Sequence, residues 1–145
     1  MKQILLILIG LSITIQADDF SRDDSTNIVT DSLTNLQWQD DIAVSDDNNK
    51  KSWQNAIDYC EALELGGKDD WRLPNYTELK SIVDRDSSNP AIYSSFQNVA
   101  SDYYWSSTTN ASYGSYAWVV YFYYGNDGYY DKSNSNFVRC VRAGL

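Results

Sequence analysis

The chain opens with an apolar run from Ile4 to Ile15, which follows Lys2 and ends at Gln16-Ala17. A basic start, an apolar stretch and a small final residue form the layout of a secretory signal peptide. We therefore predict that residues 1–17 are a signal peptide and that the protein is exported, to the periplasm or to the cell surface. An uncleaved membrane anchor is the alternative, although the run is shorter than the roughly 20 residues that a membrane-spanning helix needs.

Export makes the two cysteines, Cys60 and Cys140, a strong constraint on the fold. Two cysteines in an oxidising compartment are most simply read as one disulfide. They lie 80 positions apart. Closing a loop of that length is expected to restrict the unfolded chain by roughly 4 kcal/mol in the chain-entropy account. Two unpaired, buried thiols are the alternative.

Length and charge limit the organisation and the partners. Removing 17 of the 145 residues leaves a mature chain of 128, enough for one domain, so residues 18–145 are predicted to form a single domain. The full chain has 11 basic and 20 acidic residues and a net charge of -9, and loss of Lys2 takes it to -10. A surface this acidic repels nucleic acid and other polyanions, so nucleic acid is not expected as a partner.

The first half of the chain carries turn and helix signals. Two strand-like segments, residues 27–30 and 36–39, flank a turn-rich stretch and predict a hairpin. Apolar residues from Trp53 to Leu63 recur at spacings of three and four, which predicts a helix capped by Ser52 and ended by Gly66-Gly67. The same spacing turns Cys60 toward the core.

A second, shorter helix is predicted after Asn75, because Asn75 can cap it and Glu78 follows three residues later. From Tyr103 onward the chain is strand-like, and Gly125-Asn126-Asp127-Gly128 predicts a turn. Helices early and strands late indicate an α+β fold, with two helices and a mostly antiparallel, twisted β-sheet.

Several aromatic residues are predicted to be scaffold. Trp38, Trp53 and Trp105 occupy core-facing positions of strands or helices. Trp71 and Leu73 precede a capped helix and are expected to pack inside, with Arg72 paired to a carboxylate. A recognition loop at this motif is the alternative.

The C-terminal half is rich in tyrosine: nine of the 12 tyrosines fall between Tyr103 and Tyr130. Tyrosine supplies rigid contact area and asparagine supplies adaptable hydrogen bonds, as in antibody loops. Strand alternation predicts that Trp118, Val120 and Phe122 point inward, whereas Val119, Tyr121 and Tyr123 point outward. The alternative is that tyrosine is simply a good strand former on a solvated sheet. The predicted ligand-binding residues are Tyr113, Tyr116, Tyr121, Tyr123, Tyr124, Asn126, Asp127, Tyr129, Tyr130, Asn134 and Asn136.

Separate motifs occur in a fixed order: Trp71-Arg72-Leu73-Pro74-Asn75, then Tyr104-Trp105-Ser106-Ser107-Thr108, then Val138-Arg139-Cys140-Val141-Arg142. With them, the chain from about Asn27 to its end resembles the C-terminal domain family of the Legionella collagen-like protein. The resemblance implies a C-type-lectin-like fold, in which binding is more common than catalysis. It also implies a disulfide between the first helix and the last strand, which Cys60 and Cys140 fit. The family's best-known member is associated with sulfated glycosaminoglycans, a ligand that the negative charge of this chain disfavours.

The residue inventory disfavours catalysis and metal binding. The chain has no His, which removes the common general base, the Ser-His triad and most zinc sites. A carboxylate pair for glycoside hydrolysis remains open, although no acidic residue lies in a distinctive motif. Calcium is the cofactor to consider, because residues 84–89 have the opening spacing of a calcium loop, but they lack its central Gly and closing Glu. We predict no cofactor and no metal.

Together these observations predict an exported, non-enzymatic recognition module. Its aromatic and polar face, roughly residues 108–136, is expected to bind a glycan or a protein ligand at the cell surface or in the envelope. Self-association is left open. The alternatives are a hydrolase of extracellular or periplasmic glycans and a structural component of the envelope.

Overall fold

The computed structural model describes residues 19–145, which form an α+β domain with two α-helices, two antiparallel sheets and one disulfide. The predicted signal peptide lies outside the described residues. The elements in chain order are β1 (Phe20–Asp23), β2 (Ile28–Asp31), β3 (Leu36–Gln39), two 3-10 helices (Ile42–Ser45 and Asp47–Asn49), α1 (Trp53–Glu61), α2 (Tyr76–Ser81), β4 (Tyr103–Thr109), β5 (Tyr116–Tyr121), β6 (Asn126–Asp131) and β7 (Val141–Ala143). Within residues 19–145, no helix is long and apolar enough to cross a bilayer.

The first sheet joins the two ends of the domain, with strands in the order β1-β2-β3-β7. The predicted hairpin is confirmed as β2 and β3, in which Val29 lies opposite Trp38. On its other side, β3 pairs with β7, where Trp38 lies opposite Val141. Strands β4, β5 and β6 form a separate sheet, in that order, whereas β7 belongs to the first sheet. The expected β-strands are therefore divided between two sheets.

Both predicted helices are present, but the first is shorter than expected. Ser52 occupies the N-cap position of α1, yet its side chain makes no capping hydrogen bond, and the helix ends at Glu61, ahead of Gly66-Gly67. At α2 the expectation is confirmed, because the side chain of Asn75 accepts a hydrogen bond of 2.8 Å from the backbone N–H of Glu78.

The turn between β5 and β6 lies earlier than predicted. The chain reverses over residues 122–125, and Asn126, Asp127 and Gly128 are already in β6. Gly125 ends the turn with φ of 75°, a conformation that glycine adopts without steric cost. A Cβ atom at this position would lie 2.6 Å from Cγ1 of Val83, so the turn packs closely on the segment after α2.

The predicted disulfide is confirmed. The sulfur atoms of Cys60 and Cys140 are 2.08 Å apart, and their Cα atoms are 5.5 Å apart. Cys60 lies near the end of α1, and Cys140 immediately precedes β7. The bridge therefore ties the first helix to the first sheet.

Strand β5 is covered on both faces, which corrects the predicted inside and outside positions. Val119 packs with the α1 side of the core, whereas Val120 and Phe122 pack with the α2 side, and all three are fully buried. The prediction that Val119 faces solvent is wrong. Trp118 is only half-buried, so it is not the core residue that strict alternation predicted.

A buried ionic cluster links the first sheet to the segment before β4. Asp40 and Arg139 are both 0% exposed, and their side chains are 2.9 Å apart. The Asp40 carboxylate also accepts hydrogen bonds from Arg22 Nε at 2.7 Å and from the backbone N–H of Gln97 at 2.9 Å. The cluster therefore satisfies a carboxylate that would be costly to bury alone.

Candidate ligand-binding surface

The tyrosines predicted to bind ligand separate into two groups at different places on the second sheet. Tyr113, Tyr116 and Tyr129 line one cleft and are called the cleft tyrosines here. Tyr121, Tyr123 and Tyr124 surround the end of β5 and are called the turn tyrosines. Tyr116 and Tyr121 are five residues apart on β5, so their side chains leave opposite faces of the sheet. The single contact face expected from the sequence is therefore two surfaces.

The cleft tyrosines come from three segments that the strand register brings together. Tyr113 lies in the loop before β5, Tyr116 begins β5, and Tyr129 lies in β6 opposite Trp118. The ring centroids are 6.0, 5.9 and 6.3 Å apart, a nearly equilateral triangle. The Tyr113 and Tyr129 rings are inclined by only 25°, whereas Tyr116 is steeply inclined to both. They line an open cleft of about 240 Å³.

These rings are accessible to a ligand. Tyr113 is 57% exposed and Tyr129 is 47% exposed, large fractions for aromatic side chains on a folded domain. Trp118 packs between the cleft and α2, because its ring centroid lies 5.5 Å from that of Tyr129 and 5.5 Å from that of Tyr76 on α2. The sequence prediction missed Trp118 and Tyr76 as supports of the site, because it placed Trp118 in the core.

The turn tyrosines form a more continuous stack. Tyr121 stacks on Tyr103 with centroids 4.3 Å apart, and the Tyr123 and Tyr124 rings are 4.5 Å apart. Tyr124 is 67% exposed, whereas Tyr121 and Tyr123 are half-buried. The predicted outward position of Tyr121 is therefore only partly met, because Tyr103 covers one side of its ring.

Tyr130 belongs with this stack and not with the cleft. It is half-buried, and its ring lies 4.9 Å from that of Tyr103. A hydrogen bond to Tyr130 is the main cause that raises the pKa of Tyr103, with burial second. The Tyr103 hydroxyl group therefore stays protonated at neutral pH, and the pair fixes the base of the stack.

The polar residues predicted for the site have different surroundings. Asn126 and Asn134 are exposed. Asp127 is ion-paired with Lys80 at 2.8 Å, and the hydrogen bond from Lys80 is the main cause that lowers the pKa of Asp127. Asn136 is only 8% exposed, and its backbone pairs with Lys51, so its predicted place on the contact surface is wrong. No sequence signal marks that pairing.

A second, polar cleft of about 560 Å³ lies beside the start of α1. Its lining residues are Lys50, Lys51, Ser52, Asn55, Asp58, Tyr59 and Ser135. Lys50 is paired with Asp47 at 2.9 Å, and the ammonium group of Lys51 lies 4.8 Å from the centre of the Tyr59 ring. Its cations therefore already have partners within the domain.

The carboxylate that opens the weak calcium motif bonds to its own loop. Asp84 accepts hydrogen bonds from the backbone N–H of Asp86 at 3.0 Å and from the hydroxyl of Ser87. Within residues 19–145, no three acidic, His or Cys side chains lie together as a metal-binding group.

The predicted scaffold residues are largely confirmed. Trp38 and Trp105 are fully buried and Trp71 is 2% exposed, while Trp53 is half-buried. Arg72 pairs with Glu78 at 2.8 Å, as expected for a structural motif.

Fold and surface together define a small α+β domain with one structural disulfide and exposed tyrosines at its second sheet. The chain belongs to the Lcl C-terminal domain family, whose model matches residues 27–142. The resemblance inferred from the sequence motifs is thereby confirmed. No curated protein matches the chain.

Proposed function

We propose that this chain is an exported, non-enzymatic recognition module on a C-type-lectin-like scaffold. It acts in the periplasm or at the cell surface and binds a glycan or a protein ligand through the cleft tyrosines and the turn tyrosines. The observation that carries the proposal is the exposure of Tyr113, Tyr124 and Tyr129 together around one small sheet. Exposed aromatic groups of this kind mark binding surfaces more often than they serve stability.

The chemistry of the surface supports binding over hydrolysis. Asp127 and Asp131 lie on β6, on the same face as Tyr129 of the cleft. Asp127 is engaged by Lys80, and Asp131 accepts hydrogen bonds from Ser133 that lower its pKa. Both therefore stay ionised at neutral pH, whereas a glycosidase acid needs a raised pKa. The chain also has no His to act as a general base.

A screen of the domain on glycan and protein arrays, with calcium and with a chelator, tests the proposal. Any ligand found is then titrated against Tyr113→Ala, Tyr129→Ala and Tyr124→Ala. We expect at least one variant to bind about tenfold more weakly, a loss of about 1.4 kcal/mol, while thermal stability changes little. Leu33→Ala is the matched control, because Leu33 is 75% exposed in the turn between β2 and β3.

Two outcomes contradict the proposal. One is a ligand that binds all three tyrosine variants as tightly as the unaltered domain. The other is hydrolytic turnover of a polysaccharide or peptidoglycan substrate that a single carboxylate substitution abolishes.

A further inference from the structure

The three cleft tyrosines surround a space with the dimensions of an aromatic cage. Cations are attracted to aromatic faces when they lie within about 6 Å of the ring centroid. With centroids 5.9 to 6.3 Å apart, a cation about 3 Å above the centre of the triangle lies about 4.6 Å from all three. A single positive group at that point would therefore lie within cation–π distance of all three ring centroids.

The surroundings of the cleft favour positive charge. Asp131 lies directly opposite Tyr116 in the pairing of β5 with β6, and its carboxylate accepts hydrogen bonds from the neutral Ser133. Asp127, opposite Val120 on the same face, is already ion-paired with Lys80. The whole chain carries a net charge of -9. Lys132 is the nearest cation in sequence, but its ammonium group donates to Thr109 and to the carbonyl oxygen of Gly114, both at 2.9 Å. It also lies 4.0 Å from the centre of the Trp53 ring, so it is held by partners of its own.

The lining of the cleft suits a cation at least as well as a neutral sugar. Sites for small polar ligands combine an apolar wall with several converging hydrogen-bonding groups. This cleft is lined by three tyrosines. Phenol hydroxyl groups can donate to or accept from a sugar, but three rings without amide or carboxamide partners provide mostly π surface. A large, weakly hydrated cation needs only that surface.

The geometry points to the cleft of Tyr113, Tyr116 and Tyr129 as a binding site for a trimethylammonium group of the choline type. This inference rests on the proposed function, because it names the ligand chemistry of one of the two tyrosine surfaces. The trimethylammonium group is too large to be tightly hydrated and carries no hydrogen-bond donor. Aromatic cages recognise such groups through cation–π attraction.

Titration of the domain with choline, followed by NMR of the tyrosine ring signals, tests the inference. We expect choline to shift the signals of the cleft tyrosines and to leave those of Tyr124 unchanged. The neutral tert-butyl analogue of choline, which has the same shape but no charge, should bind about tenfold more weakly. Phosphocholine distinguishes the source of the group: tighter binding than choline indicates a phosphocholine-bearing ligand, and weaker binding indicates free choline.

Variants distinguish choline binding in the cleft from nonspecific binding to exposed side chains. Tyr129→Ala should weaken choline binding about fivefold or more, whereas Tyr129→Phe, which keeps the aromatic ring, should stay within about twofold of the unaltered domain. Leu33→Ala is the matched control, since Leu33 is 75% exposed in the turn between β2 and β3 and belongs to neither group of tyrosines. Circular dichroism of each variant checks that the domain is folded.

Three results would overturn the inference: no shift of the cleft signals, equal binding of the neutral analogue, or tighter binding of a neutral methyl glycoside than of choline. The proposed function can still stand in these cases, if an array ligand is lost on truncation of the tyrosines. If choline binds as expected but no array ligand depends on the tyrosines, the proposed binding of a glycan or protein is contradicted. The choline site in the cleft is then still supported.

Discussion

Replacing Asp40 with asparagine tests how much of the fold depends on the buried ionic cluster. Each carboxylate oxygen of Asp40 accepts two hydrogen bonds: one from Arg139 at 2.9 Å and Asn98 N–H at 3.3 Å, the other from Arg22 at 2.7 Å and Gln97 N–H at 2.9 Å. In either orientation, the NH2 group of the new side-chain amide would face two donors. The variant therefore loses hydrogen bonds and leaves Arg139 charged in a fully buried position.

We expect Asp40→Asn to lower the free energy of unfolding by about 3 to 5 kcal/mol, the usual cost of removing one partner from a buried ion pair. That is a large fraction of the total stability of a typical domain, about 5 to 15 kcal/mol. Urea unfolding followed by circular dichroism measures it. Asp24→Asn is the control, since Asp24 pairs with the same Arg22 but its side chain is 79% exposed. It should change stability by less than about 1 kcal/mol.

A double-mutant cycle with Arg139→Gln shows whether the loss belongs to the pair. The double variant should be less destabilised than the sum of the two single variants, because neither charge is then left alone. The reasoning is refuted if Asp40→Asn is as stable as Asp24→Asn, or if the two single effects simply add.

Three other predictions concern the bridge, the core and pH. Cys140→Ser should destabilise the domain by roughly 4 kcal/mol, and alkylation of the native protein should find no free thiol; two reactive thiols would contradict this. Phe122→Ala should cost about 3 to 5 kcal/mol and Trp118→Ala only about 1 to 2 in thermal or urea unfolding, because only Phe122 is fully buried; the reverse order would contradict the structure. The pKa of Asp127 is lowered from 3.8, so its contribution to stability is present above that pH and is lost below it. Asp127→Asn should therefore differ most from the unaltered domain near neutral pH, and a gap that widens on acidification in urea titrations would exclude this.

Local signals in the sequence were sufficient for the elements that depend on local chemistry. The N-cap Asn75 and the Asp31-to-Asn35 turn between two strand-like segments act within a few residues, so their structures follow from the sequence. Strand β1 was missed, because Phe20-Ser21-Arg22-Asp23 is short and has only one buried residue. Its conformation is set by pairing with β2 along its whole length. A lone segment of that composition gives no strand signal.

The prediction of which β5 side chains point toward the core failed for a different reason. Strict alternation holds only for a strand that is solvated on one face, whereas a strand covered on both faces reads as a continuous apolar run. Val119 and Val120 are that run, and each packs against a different part of the core. Two adjacent β-branched residues were therefore the signal that both faces are covered. Interpreted in that way, the pair accounts for burial on both faces of β5 and no longer requires Trp118 to be a core residue.

The composition of the tyrosine-rich segment did not by itself distinguish a binding surface from a solvated sheet. The positions of the three cleft tyrosines bear on that question. A good strand former needs only to lie in a strand, and Tyr113 lies in a loop. The register of β6 on β5 places Tyr129 beside Tyr116. The loop before β5 then brings the Tyr113 ring to within 6.0 and 6.3 Å of the other two rings. Tyr129 is 47% exposed, so the core does not require an aromatic residue at that position of β6. Strand propensity accounts for tyrosines in β5 and β6 one at a time, but it does not account for a tyrosine in the loop beside them, which is why we propose a ligand for this three-ring cleft.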